Sequence, residues 1–197
     1  MALRDVQTAL ARLLTDTGAR AMFARDPLSA GRALGLDEAD ARSVAALPPH
    51  ALDRYGASLK SKRALDARKL LPLTALALGD DFAPRLREVL PARPGGAVAD
   101  AIALVSRLAA DTAASPPWIG DLARYEAAFI AARRRPWGVR LRLFRYPVPS
   151  IAAALHRGVS PSVVAPRSTL GLWARAPGQA LVHRCWAMPL GSGPRAK

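Results

Sequence analysis

The chain has 197 residues, enough for one large domain or two small ones with a real core, and a formal charge of +14. One cysteine, Cys185, excludes an intrachain disulfide, and no stretch has the length and lack of charge to span a bilayer. Arg4 and Asp5 interrupt the start, which argues against a secretory signal and for a cytoplasmic protein.

Apolar spacing predicts a helix over Leu3–Leu14, with Val6, Leu10, Leu13 and Leu14 on one side. A further turn or two follows over Ala19–Arg25, anchored by Met22 and Phe23. Asp26-Pro27 opens the next helix, because aspartate caps and proline suits the first turn; it reaches Leu34 and stops at Gly35. Asp37 caps another through Ala46. These short helices suggest an orthogonal bundle suited to packing or docking.

Pro48 and Pro49 open the longest helix, with an apolar stripe of Leu52, Tyr55 and Leu59. Its other face carries Arg54, Lys60, Lys62, Arg63, Arg68 and Lys69, opposed by Asp53 and Asp66. That face reads either as solvated or as a contact for an anionic partner. Pro72 should kink or restart the helix, which then ends near Gly79. Asp80 or Asp81 caps a short helix through Leu90, and Pro91–Gly96 is the candidate hinge. It divides a helical N-terminal domain, 1–92, from a second domain, 97–190. Ala97–Ala110 is an apolar helix with Ile102, Val105 and Leu108 for the core.

The stretch Pro116–Ile151 changes period within a few residues. Leu122, Tyr125, Phe129 and Ile130 recur at helical spacing until Pro136 and Gly138 end the helix. Val139–Tyr146 then alternates, with Val139, Leu141 and Leu143 on one face and Arg140 and Arg142 on the other. After it come an extended turn, one helical turn and a loop over Val159–Pro166. Thr169–Arg175 and Gln179–Met188 make a hairpin about Ala176-Pro177-Gly178. The expected fold is α+β: a helical bundle, then an antiparallel sheet of at least three strands, then a disordered tail over 191–197.

Charge concentrates on the sheet. Residues 127–197 hold twelve Lys or Arg and no Asp or Glu, whereas the first 126 hold 17 basic and 15 acidic groups. A field of one sign attracts nucleic acid, an acidic peptide or an acidic protein face. Catalytic constellations are missing from the sequence: His50, His156 and His183 stand apart, and no nucleophile elbow or phosphate loop occurs. His183 and Cys185 share a strand face, which reads as a packed pair. Asp121 and Glu126, five apart on a helix, suggest that one pairs with an arginine of the sheet. The sheet's aromatics do not form an RNA-binding strand signature, although non-specific phosphate contact stays open. A sheet edge flanked by arginines suits an acidic peptide added as a strand, and the segment Ser150–Arg167 is equally able to cover that edge.

The segments PPW and DLARYEAAF (116–118 and 121–129), RLFRYPVPSI (142–151) and GLWARAPGQALVHRCWAMPL (171–190) occur in an order that resembles a family of accessory proteins. LLPLTALALGDDF (70–82) matches more loosely. The family partners multinuclear non-heme iron oxidases that modify ribosomally made peptides, as in the methanobactin and bufferin systems; part of it once carried a DNA-binding label. The resemblance implies a non-catalytic subunit, working as a heterodimer, that binds the acidic leader of a precursor peptide. Iron would belong to the oxidase, and no cofactor to this chain. The expected peptide-binding residues are Arg140, Arg142, Arg145, Leu170, Leu172, Trp173, Arg175 and Arg184. Those expected at the oxidase interface are Asp121, Arg124, Tyr125 and Tyr146. The alternative is a basic nucleic-acid-binding regulator.

Overall fold

Local chemistry sets most helix boundaries, as a computed structural model of the chain shows; it describes residues 3–90, 95–161 and 163–188. The first helix, α1 (Leu3–Thr15), gives way at Asp16, whose carboxylate accepts from the Gly18 and Ala19 amides and starts α2 (Thr17–Arg25). Asp26 caps α3 (Pro27–Ala33) through the Ser29 amide, and Asp37 caps α4 (Glu38–Ala45) through the Asp40 amide. Gly35, with φ of 87°, supplies the left-handed turn between them. Arg20 closes the end of α1 by donating to the Leu13 and Leu14 carbonyls at 3.0 Å each, and its Nε reaches Asp53 at 3.1 Å.

The long helix α5 (Pro49–Leu70) stops before Pro72, which opens α6 (Pro72–Leu78), so the proline restarts the helix. A 3₁₀ turn at Gly79–Asp81 leads into α7 (Phe82–Val89), with Asp80 and Asp81 in the turn. Next come α8 (Ala97–Ala110), α9 (Ile119–Arg133), β1 (Gly138–Phe144), α10 (Val148–His156), β2 (Thr169–Arg175) and β3 (Val182–Ala187). The helical turn expected after Tyr146 is a nine-residue helix: Pro149 lies in its first turn, where a missing amide costs nothing, and Val148, Ile151 and Leu155 are buried. The last strand is shorter than expected because the hairpin connection runs from 176 to 181, turning at Gly178 with φ of 71°. The expected tail, 191–197, and most of the expected hinge, 91–94, lie outside the described residues.

The fold is α+β: mostly helical, with a three-stranded antiparallel sheet in the order β1-β2-β3 near the C-terminal end. Among the described residues, one compact unit holds those within Met1–Leu65 and Leu90–Gly96, and a second those within Asp66–Val89 and Ala97–Lys197. The chain passes from one to the other within α5. The first unit packs around Leu13, Phe23, Ala41, Val44 and Leu52. In the second, α9 lies between α8 and the sheet, with Trp118, Leu122, Phe144 and Trp173 fully buried. Gly120 permits the close approach of α8 and α9, since a Cβ there would sit 2.8 Å from the Leu108 carbonyl oxygen. No helix among the described residues is long and apolar enough to cross a membrane.

Candidate functional site: an arginine-lined groove beside an edge strand

Helix α9 and strand β1 meet through Asp121. Its Oδ2 accepts from the Arg145 and Tyr146 amides at 2.6 and 3.1 Å, and its Oδ1 accepts from Arg124 Nη1 at 3.2 Å. Arg124 also donates to the Leu143 carbonyl at 3.4 Å and lies 5.8 Å from the Phe144 ring centroid. One carboxylate and one guanidinium therefore pin the end of β1 to the helix.

Beside this clamp runs a groove of 310 Å³. Arg124, Arg140 and Arg142 give it positive charge, and Ile102 and Val105 of α8 give it an apolar wall. Its floor is small because α9 presents Ala127, Ala128 and Ala131 there. Ile102, expected in the core, instead stands at this wall, partly exposed; Ala101 and Leu104 take the buried positions. Neither Arg140 nor Arg142 has a hydrogen-bond or ion-pair partner among the described residues. The groove thus holds two guanidinium groups, two residues apart on a strand, with no hydrogen-bond or ion-pair partner among the described residues.

Strand β1 is also an edge of the sheet, as is β3. Among the described residues, no backbone hydrogen bond joins the outer side of either edge to another segment. Among the described residues, a backbone hydrogen bond ties the segment between α10 and β2 to the end of β3: the Met188 amide donates to the Ser168 carbonyl at 2.8 Å.

Away from the groove, the inward face of the sheet is an aromatic cluster. Tyr125 lies 5.2 Å from Phe129, 5.7 Å from Trp173 and 5.3 Å from His183, ring centroid to ring centroid. Burial, aided by Cys185 and Glu126, pushes the Tyr125 hydroxyl up to about 12. His183 sits 4.9 Å from Trp173 and places Nε2 3.2 Å from Cys185 Sγ. Burial and then Arg184 lower the His183 pKa, and burial raises the Cys185 thiol. No group of three metal-ligating side chains occurs among the described residues.

The expected site residues fall on separate surfaces. Arg140 and Arg142 share the groove with Arg124. Arg145 is exposed just past β1, over the buried ring of Tyr146 at 5.7 Å. Trp173 is 1% exposed and belongs to the core, together with Tyr125. Arg175 donates to the Gln179 and Arg133 carbonyls, tying the hairpin to the end of α9. Leu170, Leu172 and Arg184 are on the opposite face of the sheet from Trp173.

One carboxylate departs from expectation. Glu126 meets no arginine: it is buried and accepts from the Leu73 amide, the Thr74 amide and the Thr74 hydroxyl at 2.8, 2.8 and 2.6 Å. It caps α6, whose own N-cap residue, Leu71, has no polar side chain to do so. Asp121 does meet an arginine, but one on its own helix.

Sequence reasoning missed the wall and floor of the groove, residues 102, 105, 127, 128 and 131. The one available signal was the density of alanine in α9 beside a strand carrying alternate arginines.

No family model, no curated protein and no solved structure matches the chain.

Proposed function

We propose that the chain is a non-catalytic subunit that takes an acidic stretch of a ribosomally made precursor peptide as an added strand along β1. It then presents the rest of that peptide to a multinuclear non-heme iron oxidase. The observation that carries the peptide part is the pairing of an open edge, β1, with a groove in which Arg140 and Arg142 have no ion-pair partner among the described residues. A strand laid on that edge would gain backbone hydrogen bonds, and its alternate side chains would fall toward the arginines. The oxidase part is supported by the order of the sequence segments in 116–190.

The division of labour has a physical basis. The residues at the groove are donors and apolar walls, suited to holding a peptide and not to moving protons. Chemistry would occur at the oxidase's iron, and this chain would supply affinity and position.

A nuclease-treated pull-down of the tagged chain from its native lysate, read by mass spectrometry and an iron assay, tests this. The expected result is an iron-containing oxidase in near-equal amount with a short peptide. Recovery of nucleic-acid-associated proteins alone, vanishing with nuclease, would make the basic sheet a phosphate-binding surface instead.

A further inference from the structure

The sheet has a second face, which is apolar and uncovered among the described residues. Strand β1 points Val139, Leu141 and Leu143 outward; they are 72, 58 and 57% exposed. Their cross-strand neighbours on β2 are Ala174, Leu172 and Leu170. Strand β3 completes each row: Val182 beside Ala174, Arg184 beside Leu172, Trp186 beside Leu170. Val182 is 53% exposed and Trp186 48%. The outcome is a three-by-three array with one charge, an apolar patch of a kind that marks an interaction surface.

What would cover it follows from charge and size. Arg184 has no hydrogen-bond or ion-pair partner among the described residues, and residues 127–197 contain no Asp or Glu to provide one. A second copy would set two such basic segments face to face, twelve cations on each. The occupant must therefore bring its own acid. Three strands spaced about 4.8 Å apart give a face roughly 14 Å wide, close to one helix with its side chains, about 10–12 Å. Helix α9 already covers the inward face, so one further helix would complete the layered arrangement sheets adopt.

We propose that the outward face of the sheet docks an amphipathic acidic helix of a partner protein, its apolar stripe on Leu141, Leu143 and Leu172 and a carboxylate against Arg184. This surface is distinct from the groove: it uses the opposite side of β1, and it stands whether or not a peptide occupies the edge.

The test uses the full chain and two labelled synthetic 18-residue helices. Both carry a leucine stripe; one flanks it with glutamate, its twin with lysine. Fluorescence anisotropy is expected to show the glutamate helix binding at least tenfold tighter than the twin. L141S/L143S and Arg184→Glu should each weaken it at least tenfold with unchanged circular dichroism. Arg54→Glu, an equal change of charge in the other unit, should leave it within twofold. Equal affinity for the twins, no binding, or full binding to L141S/L143S would overturn the proposal. So would a dimer of the chain alone in ultracentrifugation that L141S/L143S abolishes, since the occupant would then be a second copy.

Discussion

Replacing Glu126 by glutamine tests the packing on which the groove depends. Glu126 accepts three hydrogen bonds with both oxygens, and it is 6% exposed. Glutamine offers one oxygen. Turned toward Thr74, it keeps two of the bonds and sets its NH₂ against the Leu73 amide. A buried donor left unmet costs about 1–3 kcal/mol, and the two remaining bonds lose their charge assistance. The total is roughly 3 kcal/mol, which for a chain of this size lowers Tm by roughly 6–12 °C. Differential scanning calorimetry at neutral pH measures it. A Tm within about 1 °C of the wild type would refute the claim that α9 caps α6.

The same residue fixes a pH dependence. Burial raises the Glu126 pKa, outweighing the three donors that lower it. The folded chain then holds this proton more tightly than the unfolded chain. The stability it contributes is fully present below the unfolded value, about 4.3, and is lost as pH rises through the higher folded value. Glutamine has no such slope. The contribution of this ionisation therefore falls from about pH 4 toward neutrality, and a pH series of wild type beside Glu126→Gln measures it.

Three further outcomes follow from single contacts. Gly171→Ala puts a Cβ 2.7 Å from two ring carbons of Trp173 and 3.2 Å from Phe144, so overpacking should cost about 1–3 kcal/mol in a denaturant titration; an unchanged midpoint would show that the indole can move aside. Reversing Arg140 and Arg142 to glutamate should weaken an acidic peptide by about 2 kcal/mol or more, roughly 30-fold, from two partly screened ion pairs. Unchanged affinity would remove the groove from the account. His183 should titrate below about 6.5 by NMR, because burial and Arg184 disfavour its imidazolium; a value at or above that would contradict its placement in the aromatic cluster.

Much of the fold was legible because short-range chemistry decided it. Asp16, Asp26 and Asp37 cap helices within three residues, and Pro72 restarts one. The alternation in β1 was legible for the same reason, and it places Arg140 and Arg142 on one face. What the sequence left open was which face met α9. Period two separates two sides but does not say which is covered, and here the apolar side of β1 faces out while the arginine side lines the groove. Glu126 and Asp121 were misread for a related reason. Their partners, Leu73 and Thr74 in one case and Arg145 and Tyr146 in the other, are backbone amides or a hydroxyl more than 20 residues away, invisible to a search for opposite charges. The candidate site was therefore half legible: its cations were visible, but its wall on α8 and its floor on α9 exist only once three elements pack.

Hydrogen exchange along the sheet puts the central claim to the most direct test. The probe is a 12-residue peptide alternating glutamate and valine, so that an added strand turns every glutamate toward one side. The account predicts slowed exchange along 139–143 of β1, none along 182–187 of β3, and loss of the effect in R140E/R142E. Protection along β3, or protection of β1 that survives the double reversal, would contradict it.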